Sequence, residues 1–565
     1  MPKRPAMFGV MLGSWILCLL YFNPRLLALL IGPEPFIAKF CLLLFILGLD
    51  LFWFYAFFHL VIVGFSYFKP SDNLTSLLLT HPPTTLPKVA LLYATCHDFR
   101  EEAVYSHLHQ DYPNYHLFIL DDSSDQAYQK RIDEFAKNHL NRITVIRRNN
   151  RVGFKAGNLN HALNEISPNY EYFSVSDADT LLPPNYISAL LVYALNPTIA
   201  FAQAAQKTSL NQKTNFARFM GLNTDIHFRR YASTKNQYGF VMWYGHGALL
   251  RRDIWEQVGG FPEIVTEDLA YSMQAREAGY AGVFVEDVVC EEDFPPTYQQ
   301  YRKRNEKWIR GTAECLLKFY PSFVKSARIS WIEKMDVLVS GLSLLTALPF
   351  LFFLLLSGIV LPLFFTHFQF LGPMFRAPIL YDKNPLAIVT QLRGNLFWSW
   401  DVFLLMVASV FAPLVPACID YRRHPRVVMR YLSTYIFCFF SLQVASAMHS
   451  IVVLVTGKAV FPVTGECARQ DRQNVQRIIS QAWARQAHAN LAWIFLLEVI
   501  AGLVFWGIGA AAHNIWFLPV ACALLLSPCV FKWNFNSWMM EYAAALPFVI
   551  TLGIIYFIGK GLPGL

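Results

Sequence analysis

A chain of 565 residues that is 55% hydrophobic and 16% aromatic but only 15% charged is excluded from the ordinary soluble class and reads as a membrane protein. Its formal net charge of +8 does not mark a nucleic-acid binder, because its cations cluster beside apolar spans, as at Pro2-Lys3-Arg4 and Tyr421-Arg422-Arg423-His424-Pro425-Arg426, and form no basic helix. Ten cysteines without a CxxC pair indicate neither a disulfide framework nor a zinc site, so buried or idle thiols are expected.

From the amino terminus, Phe8 to Leu30 is long and apolar enough to span a bilayer and lacks a small-residue cleavage site, so it reads as a retained helix. Pro35 to Tyr67 follows as a second span, and residues 1–68 form an N-terminal membrane unit. With the basic terminus inside, two spans return the chain to the cytosolic side at Lys69. Beyond a polar linker, residues 69–330 have the charge density of a cytosolic enzyme, and residues 331–565 are again predominantly apolar.

Within the polar block, strands and helices alternate. Val89 to Tyr93, His116 to Leu120 and Ile143 to Ile146 read as strands, separated by helices near Glu101 to His109 and Gln126 to Asn138; the apolar run Tyr172, Phe173, Val175 reads as a further buried strand. This alternation implies an α/β fold with a mostly parallel, Rossmann-like sheet, whose ligands bind at the carboxyl ends of the strands.

The candidate chemical groups fall at those ends. Asp121 and Asp122 follow the second strand and can accept hydrogen bonds from a base or ribose. After the third comes Arg151-Val-Gly-Phe-Lys155-Ala-Gly157-Asn158, where glycine permits close backbone approach and Lys155 offers a point charge to a phosphate. Asp177-Ala178-Asp179 then presents two hard oxygen ligands that suit Mg²⁺ or Mn²⁺, an ion that fills its other positions with water and phosphate oxygens. A solvated Asp-rich turn is the alternative for that motif taken singly. Further on, Gly245-His246-Gly247 opens a tight turn, and Thr266 reads as the N-cap of a helix, Leu269 to Ala278, with Glu267 and Asp268 in its first turn. Asp268 is then either a helix-start acid or a reactive carboxylate.

The ordered set Asp121-Asp122, Lys155-Ala-Gly-Asn, Asp177-Ala-Asp179, Gly-His-Gly, Thr266-Glu-Asp268 and Trp308 resembles the membrane-integrated, processive family 2 glycosyltransferases, which include the cellulose and β-glucan, chitin and hyaluronan synthases. The resemblance implies a GT-A domain held between membrane helices. It assigns donor binding to Thr95, Asp98, Asp121, Lys155, Asp177, Lys307 and Arg310, metal binding to Asp177 and Asp179, acceptor binding to His246 and Trp308, and the general base to Asp268. The family's Gln-x-x-Arg-Trp signature is altered to Arg304-Asn-Glu-Lys307-Trp308, on a stretch, Tyr298 to Leu317, that also reads as an amphipathic interfacial helix.

In the C-terminal part, spans are expected near Val337 to Phe364, Phe397 to Ile419, Leu491 to Ala511, Ile515 to Val530 and Tyr542 to Ile558. The run Lys458-Ala-Val-Phe461-Pro-Val463-Thr464-Gly-Glu466 resembles the family's cytosolic gating loop with its last Lys replaced by Glu. Keeping it cytosolic makes the apolar stretch Val427 to Val455 interfacial and gives seven spans; eight is the alternative. Glu498 and Gln443 are candidates to line a channel or to bond between helices.

The function implied is inverting, processive polymerisation of a β-linked polysaccharide, with UDP-glucose as the best donor, Mg²⁺ or Mn²⁺ as cofactor, a growing polysaccharide as acceptor, and secretion through the protein's own channel. The bilayer and accessory secretion proteins are expected partners, nucleic acid is not, and the expected location is a bacterial inner membrane with the catalytic domain cytosolic. A single-transfer glycolipid enzyme and an export channel with an inactive domain are the alternatives.

Overall fold

The computed structural model describes residues 3–31, 33–68, 74–78, 85–208, 214–364, 411–457, 459, 480–511 and 517–533. The stretch resembling a gating loop, with Phe461, Val463 and Thr464, lies outside them, as do the span expected at 542–558 and most of that at 397–419.

The polar block folds as a GT-A-like α/β domain around a seven-stranded sheet ordered β3-β2-β1-β4-β6-β5-β7. The strands are β1 (Lys88–Thr95), β2 (Tyr115–Asp121), β3 (Ile143–Ile146), β4 (Tyr170–Ser176), β5 (Ile199–Thr208), β6 (Ala248–Arg251) and β7 (Ala281–Glu292). All neighbours pair in parallel except β6, which is antiparallel to both β4 and β5. β1 is buried on both faces, as a central parallel strand must be: Val89, Leu91 and Tyr93 enter one core, Ala90 and Leu92 the other. Because β2 and β4 flank β1 on opposite sides, the chain reverses direction across the sheet there and leaves a crevice beyond the strand ends. The register sets Thr95 opposite Asp121 and Tyr93 opposite Ser176, so Asp177 emerges into that crevice.

Around this domain stand apolar helices. Among the described residues, Ala6–Pro24, Phe36–Phe68 and Ala492–Gly509 are long and apolar enough to cross a membrane, and the number rises to five if each of two bent pairs is one span. The first pair, Trp331–Leu344 and Ala347–Val360, bends by 61° where a single span was expected. Pro349 explains the break, since it lacks an N–H and its ring would collide with the carbonyl of Leu345. The stretch expected to be one interfacial segment is likewise a pair, Pro425–Ser441 and Gln443–Thr456, meeting at 45°.

Polar contacts fasten the domain to these helices. His59 Nδ1 meets Tyr231 Oη at 2.7 Å, and Tyr67 Oη donates to Asp420 Oδ1 at 2.5 Å while Arg230 Nε reaches the same carboxylate at 3.1 Å. Lys3 Nζ donates to the carbonyls of Lys235 and Asn236, tying the amino terminus to the domain. The helix Tyr298–Lys318 is held by Arg302, whose guanidinium pairs with Glu498 at 2.6 and 3.2 Å and donates to Ser527 Oγ at 3.0 Å. Glu498 is therefore an ion-pair partner of a helix beyond its own. Gln443 donates to Phe439 O of the preceding helix, and its Oε1 is buried without a partner among the described residues.

The side chains of Arg302 and Glu498 are 1% and 0% exposed; Arg302 also pairs with Glu306 at 2.9 Å, so it is the removal of Arg302 that leaves a buried charge, Glu498, without its cation. Arg302→Met is expected to cost about 3–5 kcal/mol, read as a lowered Tm in detergent. The apolar double replacement Arg302→Met with Glu498→Leu should recover most of that loss, because no charge is then stranded.

Candidate active site

The site forms at the carboxyl ends of β1, β2 and β4. β4 ends at Ser176, and the turn after it is pinned on both sides. Tyr93 Oη donates to the carbonyl of Ala178 at 3.0 Å, while Leu181 pairs with Glu291 through two backbone bonds of 2.8 and 3.0 Å. That second bridge carries the end of β7 to the Asp-x-Asp turn, so Asp293 N donates to Asp179 Oδ2 at 3.3 Å. Arg100, just beyond β1, holds Asp293 at 2.7 Å.

Lys155 comes from the first turn of the helix Phe154–Glu165, which begins at Gly153 with φ +75°. Gly157 is required by close approach, since a Cβ there would lie 2.1 Å from the carbonyl oxygen of Val152. The ammonium of Lys155 contacts the Asp177 carboxylate and donates to the carbonyl of Gly245 at 2.9 Å. Gly245 has φ +83°, and a Cβ on it would stand 3.3 Å from Asp268 Oδ2. One glycine thus bonds the cation that faces Asp177 and leaves room for the Asp268 carboxylate.

Burial alone would raise Asp177, but Lys155, His246 and Lys307 together bring it down to about 2. Asp179 goes the other way, raised to about 6 by burial and by the neighbouring Asp177 and Asp293. Burial lifts Asp268 to about 6, against Lys155 and Lys307, which pull it down; burial and then Asp268 itself lift Glu267 to about 7. His246 is lowered to about 4 chiefly by burial, and Glu292, 3.3 Å away, is raised to about 8 by burial and then Asp179. Gln206 Nε2 donates to Nδ1 of His246 at 3.2 Å, which puts the ring proton on Nε2, where it is donated to the Glu292 carboxyl.

The other residues singled out in the sequence divide between this space and its frame. Thr95 Oγ1 and Cys96 N both donate to Asp98 Oδ1, at 2.8 and 2.7 Å, and the charge of Asp177 acts on Asp98. Asp121 is buried and held by Arg147 at 2.7 Å, with Ser123 N on its other oxygen. Lys307 acts electrostatically on Asp177, Glu267 and Asp268, whereas Arg310, expected beside it, turns to His449 at 2.7 Å. Trp308 remains 43% exposed with Arg304 over its ring. Thr266 does not cap its helix: its hydroxyl donates to Gly311 O at 2.9 Å and ties the Asp268 turn to the helix of Trp308. Cys96 is disulfide-bonded, which corrects the expectation of idle thiols at that position.

Glu292 and Asp293 went unnoticed in the sequence. Their acidity beside Phe294-Pro295-Pro296 carried no spacing signal, and only the pairing of β7 beside the Asp-x-Asp turn gives them a place here.

Hard carboxylate oxygens at Asp177 and Asp179 fit a divalent cation of the Mg²⁺ type. No group of three or more His, Cys, Asp or Glu side chains is arranged to hold a metal among the described residues. A protein-supplied pair completed by water and phosphate oxygens is the coordination such an ion favours.

Residues 94–311 match the family model described as "Glycosyltransferase like family 2", and they form a glycosyltransferase family 2 domain with homology to glucomannan mannosyltransferases. The relatives include the Arabidopsis thaliana proteins named "Probable glucomannan 4-beta-mannosyltransferase" 15, 11 and 10, at 25, 26 and 25% identity. Those alignments cover 39, 39 and 43% of this chain and 43, 52 and 46% of the relatives, so the chain spans about half the length of the curated relatives it matches. Among solved structures, the mannosyltransferase PcManGT from Pyrobaculum calidifontis, in complex with GDP-Man and Mn2+, is 16% identical over 67% of this chain and 97% of its own, with a TM-score of 0.43. TarS of S. aureus is 17% identical over 46% of this chain and 43% of its own, with a TM-score of 0.32.

Gly245→Ala and Gly259→Ala separate strain from chemistry, since both glycines have positive φ but a Cβ at Gly259 meets nothing within 4 Å. Each should lose about 1–2 kcal/mol of stability by thermal unfolding, while only Gly245→Ala, which crowds Asp268, should lower transferase turnover by tenfold or more.

Proposed function

We propose that this protein is an inverting β-hexosyltransferase that extends a polysaccharide from a nucleoside diphosphate sugar and passes the product through its own membrane region. The observation that carries this reading is the convergence on Gly245: Lys155, which faces Asp177, hydrogen-bonds its carbonyl, and Asp268 Oδ2, on a carboxyl whose pKa is raised, stands where a Cβ on Gly245 would meet it at 3.3 Å.

In this reading Asp268 accepts the proton of the acceptor hydroxyl as that oxygen attacks the anomeric carbon, and a base whose pKa lies near the working pH is well matched to the task. Lys155 and Lys307 neutralise charge on the departing diphosphate, and Thr95, Asp98 and Asp121 shape the nucleoside end of the pocket. Asp177 and Asp179 would hold a divalent cation, which when bound supplies charge neutralisation at the diphosphate. Attack from the side opposite the leaving group inverts the anomeric centre, so an α-linked donor gives a β-linkage. Trp308 offers its exposed face to the acceptor, and His246, neutral and fixed by Glu292, offers polar contact beside it.

The donor follows from two lines. The sequence resemblance favours UDP-glucose, whereas the relatives are named for mannosyl transfer. Full-length protein in membrane vesicles, offered UDP-glucose, UDP-N-acetylglucosamine and GDP-mannose with Mg²⁺ or Mn²⁺, and product digestion by linkage-specific β-glycosidases, identifies the sugar and whether one or many units are added. Absence of β-linked product from every donor would refute the reading. A membrane location is supported by the apolar helices, and the hydrogen bonds from Lys3 to the domain support an amino terminus on the domain's side of it. On this reading the side is cytosolic and the membrane a bacterial inner membrane.

Asp268→Asn is expected to keep donor affinity within threefold while turnover falls by at least 10³, because the amide retains the shape but accepts no proton. Asp177→Ala should abolish cation-dependent nucleotide binding and turnover together. For the unmodified protein, kcat/KM should fall as pH drops through about 6 to 7, the range set by Asp268 and Glu267, since protonation removes the base. A pH-rate profile flat down to pH 5 would exclude Asp268 as the base.

A further inference from the structure

The Asp-x-Asp turn sits inside a closed ring of polar contacts. Tyr93, near the carboxyl end of β1, donates from Oη to the carbonyl of Ala178 at 3.0 Å, and the same oxygen accepts from Arg100 N at 3.0 Å. The side chain of Arg100 reaches the other way and holds Asp293 Oδ2 at 2.7 Å. Asp293 N donates to Asp179 Oδ2 at 3.3 Å, and Asp179 directly follows Ala178, so the circuit closes on the turn where it began. Arg100 thus serves one side of the turn with its backbone and the other with its guanidinium.

Packing and helix stability do not account for these two residues. Tyr93 is fully buried against Phe99 and His107, a position that a phenylalanine ring would fill as well. What its hydroxyl adds is the pair of bonds that joins Arg100 to Ala178. Arg100 stands at the N-cap of the helix Glu101–Leu108, where the helix dipole disfavours a cation, and its side chain makes no capping bond. Its charge is spent on Asp293, whose side chain is only 15% exposed.

The consequence falls on Asp179. A backbone N–H at Oδ2 brings partial positive charge to that oxygen and directs an approaching cation to Oδ1. A carboxylate limited to one oxygen suits Mg²⁺, which demands near-octahedral geometry and few protein ligands. It suits Ca²⁺ less, because Ca²⁺ takes more oxygens and accepts bidentate carboxylates.

We propose that Arg100 and Tyr93 are positioning residues that fix Asp179 for one-oxygen contact with a divalent cation and thereby favour Mg²⁺ over Ca²⁺. The inference rests on the metal assignment of the transferase reading and extends it to two residues that do not touch the ion. Charge alone would act the opposite way at Arg100, since removing a cation near the site would tighten the binding of every divalent ion.

The test uses the full chain in nanodiscs of neutral lipid, with Mn²⁺ as the probe, counted by EPR and then displaced by Mg²⁺ or by Ca²⁺. Bound Mn²⁺ that disappears in Asp177→Ala belongs to this site. Tyr93→Phe and Arg100→Met are expected to weaken Mn²⁺ by about tenfold and to lower the preference for Mg²⁺ over Ca²⁺ by threefold or more. Arg100→Lys, which keeps a donor for Asp293, should recover part of both effects.

Tighter Mn²⁺ binding in Arg100→Met with an unchanged ion preference would overturn the inference and leave Arg100 a field charge only. A lowered Tm in Tyr93→Phe with an unchanged preference would overturn it too, making the ring a support for the fold. If Arg100→Met does not fold, Tyr93→Phe decides, because it removes one oxygen and no charge. If the unmodified protein binds no Mn²⁺ that Asp177→Ala removes, the metal assignment fails and the inference with it. Should Mn²⁺ bind but no donor be turned over, the transferase reading fails, while the ion preference still decides the role of Arg100 and Tyr93.

Discussion

Carboxylates crowd the end of the sheet in a space only partly open to water. Asp177, Asp179, Asp268 and Glu292 reach it from β4, from the start of the helix Glu267–Glu277 and from β7, and burial is the first force on each. Only Asp177 has a cation in contact, and only Asp177 is driven below the ordinary carboxylate range; the other three are raised. The difference is one of geometry. Lys155 is delivered to Asp177 by a glycine-dependent turn, while Asp179 sees two further acids before it sees Arg100. The imbalance leaves raised carboxyls at Asp179 and Asp268, and both follow first from burial.

The helix Tyr298–Lys318 joins that chemistry to the apolar helices. Arg302, Glu306 and Arg310 recur at intervals of four, a spacing that keeps them on one helical face, and that face meets Glu498 and His449 on helices beyond the domain. Arg304 and Trp308, also four apart, lie on another face with Phe294, and Lys307 projects its field toward Asp177 and Asp268. Thr266 bonds to Gly311 of the same helix, where a Cβ would come within 2.8 Å of the Thr266 methyl. The Asp268 turn and the helix of the tryptophan are therefore tied together, and the buried Arg302–Glu498 pair fastens that helix to its neighbours.

Several elements were legible in the sequence because their signal is local. β3 was expected and found at Ile143–Ile146, and the helices at Glu101–Leu108 and Gln126–Lys137 fell within a residue of expectation. Strands β5 to β7 were not anticipated. β5 is Ile-Ala-Phe-Ala-Gln-Ala-Ala-Gln-Lys-Thr, rich in residues with little strand preference, and it is a strand because β6 and β7 flank it. The broken helix at Pro349 was readable in principle, since proline acts on its own backbone, but mean hydropathy hides it.

By itself the sequence determined that a charged α/β block lies between apolar segments, and that Asp121, Lys155, Asp177 and Asp268 fall at element ends, because periodicity and turn residues act over a few positions. The tertiary structure alone decided which of these groups share a space. It gave Asp121 to Arg147, turned Arg310 to His449, paired Glu498 with Arg302, and brought Glu292 and Asp293 to the Asp-x-Asp turn. Each of those outcomes depends on contacts between residues far apart in the chain and on how much water is left around a charge. Neither quantity is encoded in local spacing.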